Sequence, residues 1–147
     1  MNIQFIKATN NDAKIIASLA VRMWTSHTVD ELTEGFLSVV NSDNSTVYLL
    51  SIENNIVGFA QCGLRHDYVE GTNSSPVGYL EGIFVEEKYR EQGYAKQLLN
   101  CCEQRAKEKG CTEFASDCEL SNEISRQFHM SLGFKEANRS ICFKKKL

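Results

Sequence analysis

At 147 residues the chain is long enough for one domain with a single hydrophobic core and too short for two comfortable ones. Its 42% hydrophobic and 24% charged content, with a net charge of −3, is that of a globular protein with no nucleic-acid footprint and no apolar run of membrane-spanning length. The first residues, Met1-Asn2-Ile3-Gln4-Phe5, lack the basic region and apolar run of a signal peptide, so a cytoplasmic location is expected.

Ile3–Lys7 alternates as a strand. Thr9 followed by Asp12 has the spacing of a capping box, and Ile15, Ile16, Leu19, Ala20 and Met23 mark one face of a helix to about Trp24. Thr25–Thr28 connects to a second helix over Asp30–Val40, with Leu32, Phe36, Leu37 and Val40 inward. After the polar loop Asn41–Ser45, the β-rich runs Thr46–Ile52 and Ile56–Arg65 flank Asn54-Asn55, a dipeptide tolerant of positive φ, and predict a hairpin. His66–Pro76 is a long loop carrying Tyr68, Glu70, Gly71 and the only proline; loops of this length are usually functional or mobile.

Leu80-Glu81-Gly82-Ile83-Phe84-Val85 is β-branched and aromatic, a buried strand. A turn with Arg90 and Gly93 follows, and then Ala95, Leu98, Leu99, Cys102 and Ala106 recur at helical spacing up to Gly110. Thr112–Cys118 reads as another strand. Ser121-Asn122-Glu123 opens a helix containing Ile124, Phe128 and Leu132 and closed by Gly133, and Phe134–Asn138 with Ile141–Lys145 forms a last β pair. The order is β-α-α-β-β-β-α-β-α-β-β, about seven strands and about four helices in one domain over residues 1–147.

A strand feeding a glycine turn that opens a helix leaves several backbone N–H groups unpaired and pointing one way. With the positive end of the helix dipole they make an anion site suited to a pyrophosphate. Neither a G-x-x-x-x-G-K-[ST] loop nor a G-x-G-x-x-G turn with its distant acidic residue is present. The six cysteines show no C-x-x-C pair and no histidine at zinc spacing, so no metal is expected and the thiols read as small core or surface residues.

Arg90-x-x-Gly93-x-Ala95 resembles the acyl-CoA pyrophosphate loop of the GCN5-related N-acetyltransferases. Asn122-x-x-Ser125-x-x-Phe128-His129-x-x-x-Gly133-Phe134 resembles that superfamily's later signature, and the element order is that of its fold. The resemblance implies an α/β (α+β) GNAT acyl-CoA N-acyltransferase fold, with a mixed, mostly antiparallel central sheet. A narrower likeness covers most of the chain. Arg65-His66-Asp67-Tyr68-Val69-x-Gly71, Ser74-Ser75-Pro76-Val77, the Leu80–Val85 strand, Ala115-Ser116-Asp117 and His129-x-x-Leu132-Gly133-Phe134 look like one group of bacterial aminoglycoside 6'-N-acetyltransferases, as do Trp24 and His27. Those are resistance enzymes that use acetyl-CoA to acetylate the 6'-amine of kanamycin- and tobramycin-like antibiotics. An acetyltransferase for another small amine, polyamine or protein N-terminus is the alternative within the class. A non-catalytic acyl-CoA-sensing module is the alternative outside it.

Amide formation needs a neutral amine, a polarised thioester carbonyl and an orientation that supplies effective molarity. Glu81, an acid inside an apolar strand, is the first candidate for base and substrate anchor. A carboxylate is a weak base near neutral pH, so it is expected to hold and orient the amine while water relays the proton. The resemblance sets Asp117 on the substrate's amines, and Trp24, His27 and Tyr68 as the remaining wall. For Trp24, core packing is the competing assignment. The resemblance further implies that the backbone of Ile83, Phe84 and Val85 binds the pantetheine amides and polarises the thioester. Arg90, Gln92, Gly93, Tyr94, Ala95 and Lys96 would hold the pyrophosphate, and Asn122 would meet the pantetheine arm. His129 departs from the superfamily's usual tyrosine, either donating to the leaving thiolate or lining the cofactor tunnel. Asn138 stands where close relatives carry an acid. Relatives of this group are often homodimers through the C-terminal strand, and Ile141-x-Phe143 is compatible with that or with a core strand.

Overall fold

A computed structural model describes residues 1–147. The expected hairpin forms, with its turn one residue earlier than Asn54-Asn55: β2 (Ser45–Ile52) pairs antiparallel with β3 (Asn55–Arg65), and Glu53 and Asn54 turn the chain with positive φ. On one side of the hairpin β1 (Ile3–Lys7) adds to β2, and on the other β4 (Val77–Val85) adds to β3, both antiparallel. β5 (Phe114–Ala115) completes a sheet of order β1-β2-β3-β4-β5 and is parallel to β4. The sheet is therefore mixed and mostly antiparallel.

Helices cover both faces. Thr9 and Asp12 form the expected capping box, which leads through a short 3-10 turn into α1 (Ala13–Ala20). Thr28 caps α2 (Val29–Val40) by accepting from the Glu31 N–H at 3.2 Å. These two helices lie over Val47, Leu49, Phe59 and Phe84. The opposite face, with Leu50, Ile52, Ala60, Cys62, Leu80 and Val85, is covered by Tyr94, Leu98, Leu99 and Cys102 of α3 (Tyr94–Glu108). Alternate residues of β2 and β3 thus serve two cores, as the two-residue period of a strand dictates. The fourth helix, α4 (Glu123–Ser131), has no fully buried residue.

Three expectations are corrected. α1 ends at Ala20 rather than near Trp24, and residues 21–27 continue as turns in which the Met23 and Trp24 N–H groups bond back to the Ala20 carbonyl. Ile15 and Leu37, expected inward, are exposed, because the arcs that meet the sheet are those of Ile16, Ala17 and Ala20 on α1 and Phe36 on α2. The sheet has five strands rather than about seven. The run 112–118 contributes only Phe114–Ala115, and residues 134–147 form no strand. A β5 of two residues gives no edge long enough for a final pair to add to, so Ile141 and Phe143 stay uncovered at 81% and 91% exposure.

Candidate active site

The site begins where the sheet loses its regularity. β3 and β4 pair in step from Gly58↔Val85 to Gln61↔Gly82, and then resume at Cys62↔Leu80. Glu81 is the extra residue of a β-bulge. The alternation resets there: Phe84 and Gly82 face α1 and α2, whereas Leu80 faces α3. Bulges re-aim side chains in this way next to functional sites. Here the bulge sends a carboxylate out of an otherwise apolar strand. At the same level the sheet splits, because β5 pairs with β4 only over Gly78↔Phe114 and Tyr79↔Ala115. From Leu80 to Val85, β4 therefore has no sheet partner on its β5 side. Ser116 closes the split by donating to the Leu80 carbonyl at 3.0 Å.

Glu81 does not stand alone. Arg65, at the end of β3, donates to it from Nη2 at 2.6 Å and from Nε at 3.2 Å. The same guanidinium lies 3.4 Å from the ring centroid of Tyr79. The Tyr79 hydroxyl in turn donates to Asp117. Burial, and then the bond to Asp117, push the Tyr79 phenol well above its ordinary value, so it remains a donor. Both candidate carboxylates are thus brought to one end of the split, joined through Arg65 and Tyr79. Neither linker is readable as a site residue in sequence: Arg65 lies 16 positions from Glu81 and meets it only through strand register.

Trp24 is half-buried. It stacks on Phe36 (centroids 6.3 Å, 18°), meets Phe59 edge-on, and its six-membered ring lies against Gly82. Its core role is therefore real, and it also backs the residue next to Glu81. His27 is exposed, with Nδ1 3.2 Å from Glu31 on α2. Tyr68 is 74% exposed, its hydroxyl accepting from the Gly71 N–H. The 66–76 loop is pinned rather than loose: the Asn73 N–H and the Ser74 hydroxyl both donate to Glu113, and the Ser75 hydroxyl donates to the His66 carbonyl. Asn138 donates to Glu70 of that loop. A carboxylate therefore sits beside the position where the expected acid is replaced.

On the other side of the bulge, β4 runs on to the start of α3. Phe84 and Val85 are buried, so only their backbone is available, on the open edge. The Arg90 side chain turns inward to donate to the Val85 carbonyl at 2.7 Å, fixing the turn. Gly93 is the N-cap of α3 in the left-handed region (φ 85°), and no atom lies within 4 Å of where a Cβ would be. The first intrahelical bond runs from Gln97 to Gly93, and no side chain caps the helix, so the N–H groups of Tyr94, Ala95 and Lys96 have no helical partner. Tyr94 buries its ring beside Phe5, whereas Gln92 and Lys96 are exposed. An open glycine turn ahead of uncapped N–H groups fits a pyrophosphate.

On α4, Asn122 uses its side-chain oxygen to cap the Ser125 N–H, leaving its amide nitrogen free. His129 is held at both ring nitrogens, Nδ1 against the Ser125 carbonyl at 2.7 Å and Nε2 against the Ser116 hydroxyl at 2.8 Å. Ser116, which bridges His129 to β4, was not singled out for a role by the sequence.

The family model described as Acetyltransferase (GNAT) family matches residues 13–134. A curated protein of Salmonella typhimurium, named aminoglycoside N(6')-acetyltransferase type 1, is 38% identical over 128 residues, covering 87% of this chain and 88% of its own. A protein of the same name from Acinetobacter haemolyticus is 35% identical over 148 residues, covering 100% and 99%. Among solved structures, AAC(6')-Iy in complex with the bisubstrate analog CoA-S-monomethyl-acetylneamine matches with a TM-score of 0.93 and 33% identity over the whole of both chains. The 6'-N-acetyltransferase AAC(6')-Ih of Acinetobacter baumannii matches with the same TM-score and identity over 99% of each chain.

Proposed function

Because the chain belongs to the acetyltransferase (GNAT) family, we propose that it transfers the acetyl group of acetyl-CoA to the 6'-amine of aminoglycoside antibiotics, as a single domain over residues 1–147. Relatives of that name match it over nearly their whole length, and the structural likeness extends over all of the chain that carries the bisubstrate analog. The observation that carries the reading is the bulge at Glu81, at the level where β4 and β5 part, with its carboxylate held by Arg65, linked through Tyr79 to Asp117, and followed in the chain by an uncapped helix.

Acetyl-CoA, when bound, supplies an activated carbonyl and a good leaving thiolate. The backbone N–H groups of Tyr94, Ala95 and Lys96, with the open turn at Gly93, take the pyrophosphate, and Arg90 and Gln92 shape that turn. The free edge of Ile83, Phe84 and Val85 binds the pantetheine amides and the thioester oxygen. The amide nitrogen of Asn122 faces the arm. Glu81 and Asp117 bind and orient the amine, and its proton leaves through water. Trp24, His27 and Tyr68 form the wall around a polycationic sugar, with Glu70 adding an acid beside Asn138. A thiol with a pKa of about 8.5 departs near neutral pH without much help. His129, engaged at both nitrogens, therefore lines the tunnel and braces Ser116.

The same reading includes a homodimer in the cytoplasm. Ile141, Phe143 and Leu147 are uncovered in the single chain, whose sheet ends in a two-residue strand, and pairing with a second copy would cover them. No helix is long and apolar enough to cross a membrane, and acetyl-CoA is an intracellular metabolite.

Thiol release from acetyl-CoA, followed with tobramycin, kanamycin, their 6'-hydroxyl analogues, spermidine and peptides, tests the proposal. Turnover is expected with the 6'-amino compounds and lost with the 6'-hydroxyl analogues. Faster turnover of spermidine or a peptide would overturn the choice of acceptor.

A further inference from the structure

Arg65 and Glu81 share one face of the sheet because Arg65 pairs with Val77, and Val77, Tyr79 and Glu81 alternate onto the same side of β4; the bulge then sets Gly82 and Phe84 on that side as well. The contact is built rather than incidental. Arg65 donates twice to Oε1 of Glu81 and once, at 3.2 Å, to Oε2, while the Tyr79 ring under its guanidinium holds the fork in one plane. Tyr79 is itself fixed by its bond to Asp117. The Glu81 side chain keeps 28% of its surface open and Oε2 carries only the longer contact, so the carboxylate still has room to accept from an incoming amine.

The electrostatics of the cluster matter for the chemistry. Without Arg65, Glu81 and Asp117 would present two uncompensated carboxylates to an ammonium ion, and an ammonium ion has no lone pair with which to attack. With Arg65 in place the cluster carries one net negative charge. We propose that Arg65 is a positioning residue that fixes Glu81 and offsets its charge, so that the acceptor amine is gripped firmly enough to be oriented and loosely enough to lose its proton before attack. The inference rests on the acetyltransferase reading. In the step itself the ammonium gives one proton to water, the nitrogen lone pair forms the N–C bond as the C–S bond breaks, and the second proton reaches the thiolate through water. The ionisable groups around Glu81 are Arg65 and Cys62 on β3, Tyr79 on β4 and Asp117 beyond β5.

The test compares wild type, Arg65→Gln and Arg65→Lys, using tobramycin kinetics between about pH 6 and pH 9 and calorimetric tobramycin binding. Arg65→Gln is expected to bind tobramycin about fivefold to tenfold more tightly, to lose about tenfold in kcat, and to shift the rise of kcat with pH by about one unit to the alkaline side. Arg65→Lys keeps the charge and should restore the pH profile while recovering only part of kcat. Weaker tobramycin binding in Arg65→Gln with an unshifted profile would overturn the proposal, leaving Arg65 as an ordinary structural contact. Wild-type turnover checks the function separately: if the protein acetylates spermidine and no aminoglycoside, the acceptor is wrong and the same Arg65 comparison is made with spermidine.

Discussion

Gly82→Ala probes the junction between core and site. A Cβ at this position would lie 2.6 Å from Cζ2 and 2.8 Å from Cη2 of Trp24, about 1 Å short of an ordinary carbon contact. Trp24 cannot simply swing away, because it is stacked on Phe36 and set edge-on to Phe59, which is fully buried. Overpacking of this kind costs about 1–3 kcal/mol. Gly82 has no positive φ, so alanine also gains about 0.4–1 kcal/mol by restricting the unfolded chain. Taking the middle of each range, the net loss is about 1.3 kcal/mol, or about 3–5 °C in Tm for a chain of this size. Activity should fall further than stability, because the displaced ring and strand carry Glu81 with them. Differential scanning calorimetry and kcat/KM measure the two effects. Trp24→Phe removes the atoms that clash, so the double variant should be less destabilised than the sum of the single changes. An unchanged Tm in Gly82→Ala, or strict additivity in the double variant, would refute the wedge between Trp24 and the bulge.

Gly93→Val should lower Tm by a few degrees, since a β-branched residue at φ 85° is strained, although its Cβ has no protein atom within 4 Å. Acetyl-CoA affinity by calorimetry should drop well beyond that loss, and an unchanged affinity would remove the loop from the cofactor site. Ser116→Ala leaves the Leu80 carbonyl and His129 Nε2 without their partner, at a cost of about 1–2 kcal/mol seen in urea unfolding; an unaltered midpoint would refute the brace. The Ser74 hydroxyl, and then the Asn73 N–H, hold the Glu113 carboxyl below its ordinary 4.5. A depressed carboxylate stabilises above its unfolded value, and the contribution is lost as pH falls through the folded one. Amide exchange at Asn73 should therefore accelerate as pH drops below about 4.5 once corrected for intrinsic rates, and Glu113→Gln should abolish that dependence. Ile141→Asp with Phe143→Asp should convert a dimer to a monomer in light scattering, and an unchanged mass would refute the proposed contact.

Much of the frame was legible because the signals were local. The hairpin turn, made at Glu53-Asn54 one residue before the expected pair, the Thr9 and Asp12 box and the Gly93 helix start each lie within a few residues and depend on backbone preference. Glu81 stood out as an acid in an apolar strand, yet the bulge that aims it is a property of the pairing with β3 and leaves no mark in the strand itself. Arg65 and Tyr79 carry no local signal for the same reason. Arg65 sat among matching loop residues, and only the register sets it over the Tyr79 ring and against Glu81. The last two expected strands are absent because Phe134–Asn138 and Ile141–Lys145 have strand composition, while strand formation requires a neighbouring edge that β5 does not supply.

The most direct test of the account is the position of the acetyl group after the purified protein has acted on kanamycin with acetyl-CoA, read by NMR of the isolated product. The account predicts one acetyl group on the nitrogen at the 6' carbon, with the product lost in Glu81→Gln. Acetylation at another nitrogen, or a Glu81→Gln variant as fast as wild type, would contradict it.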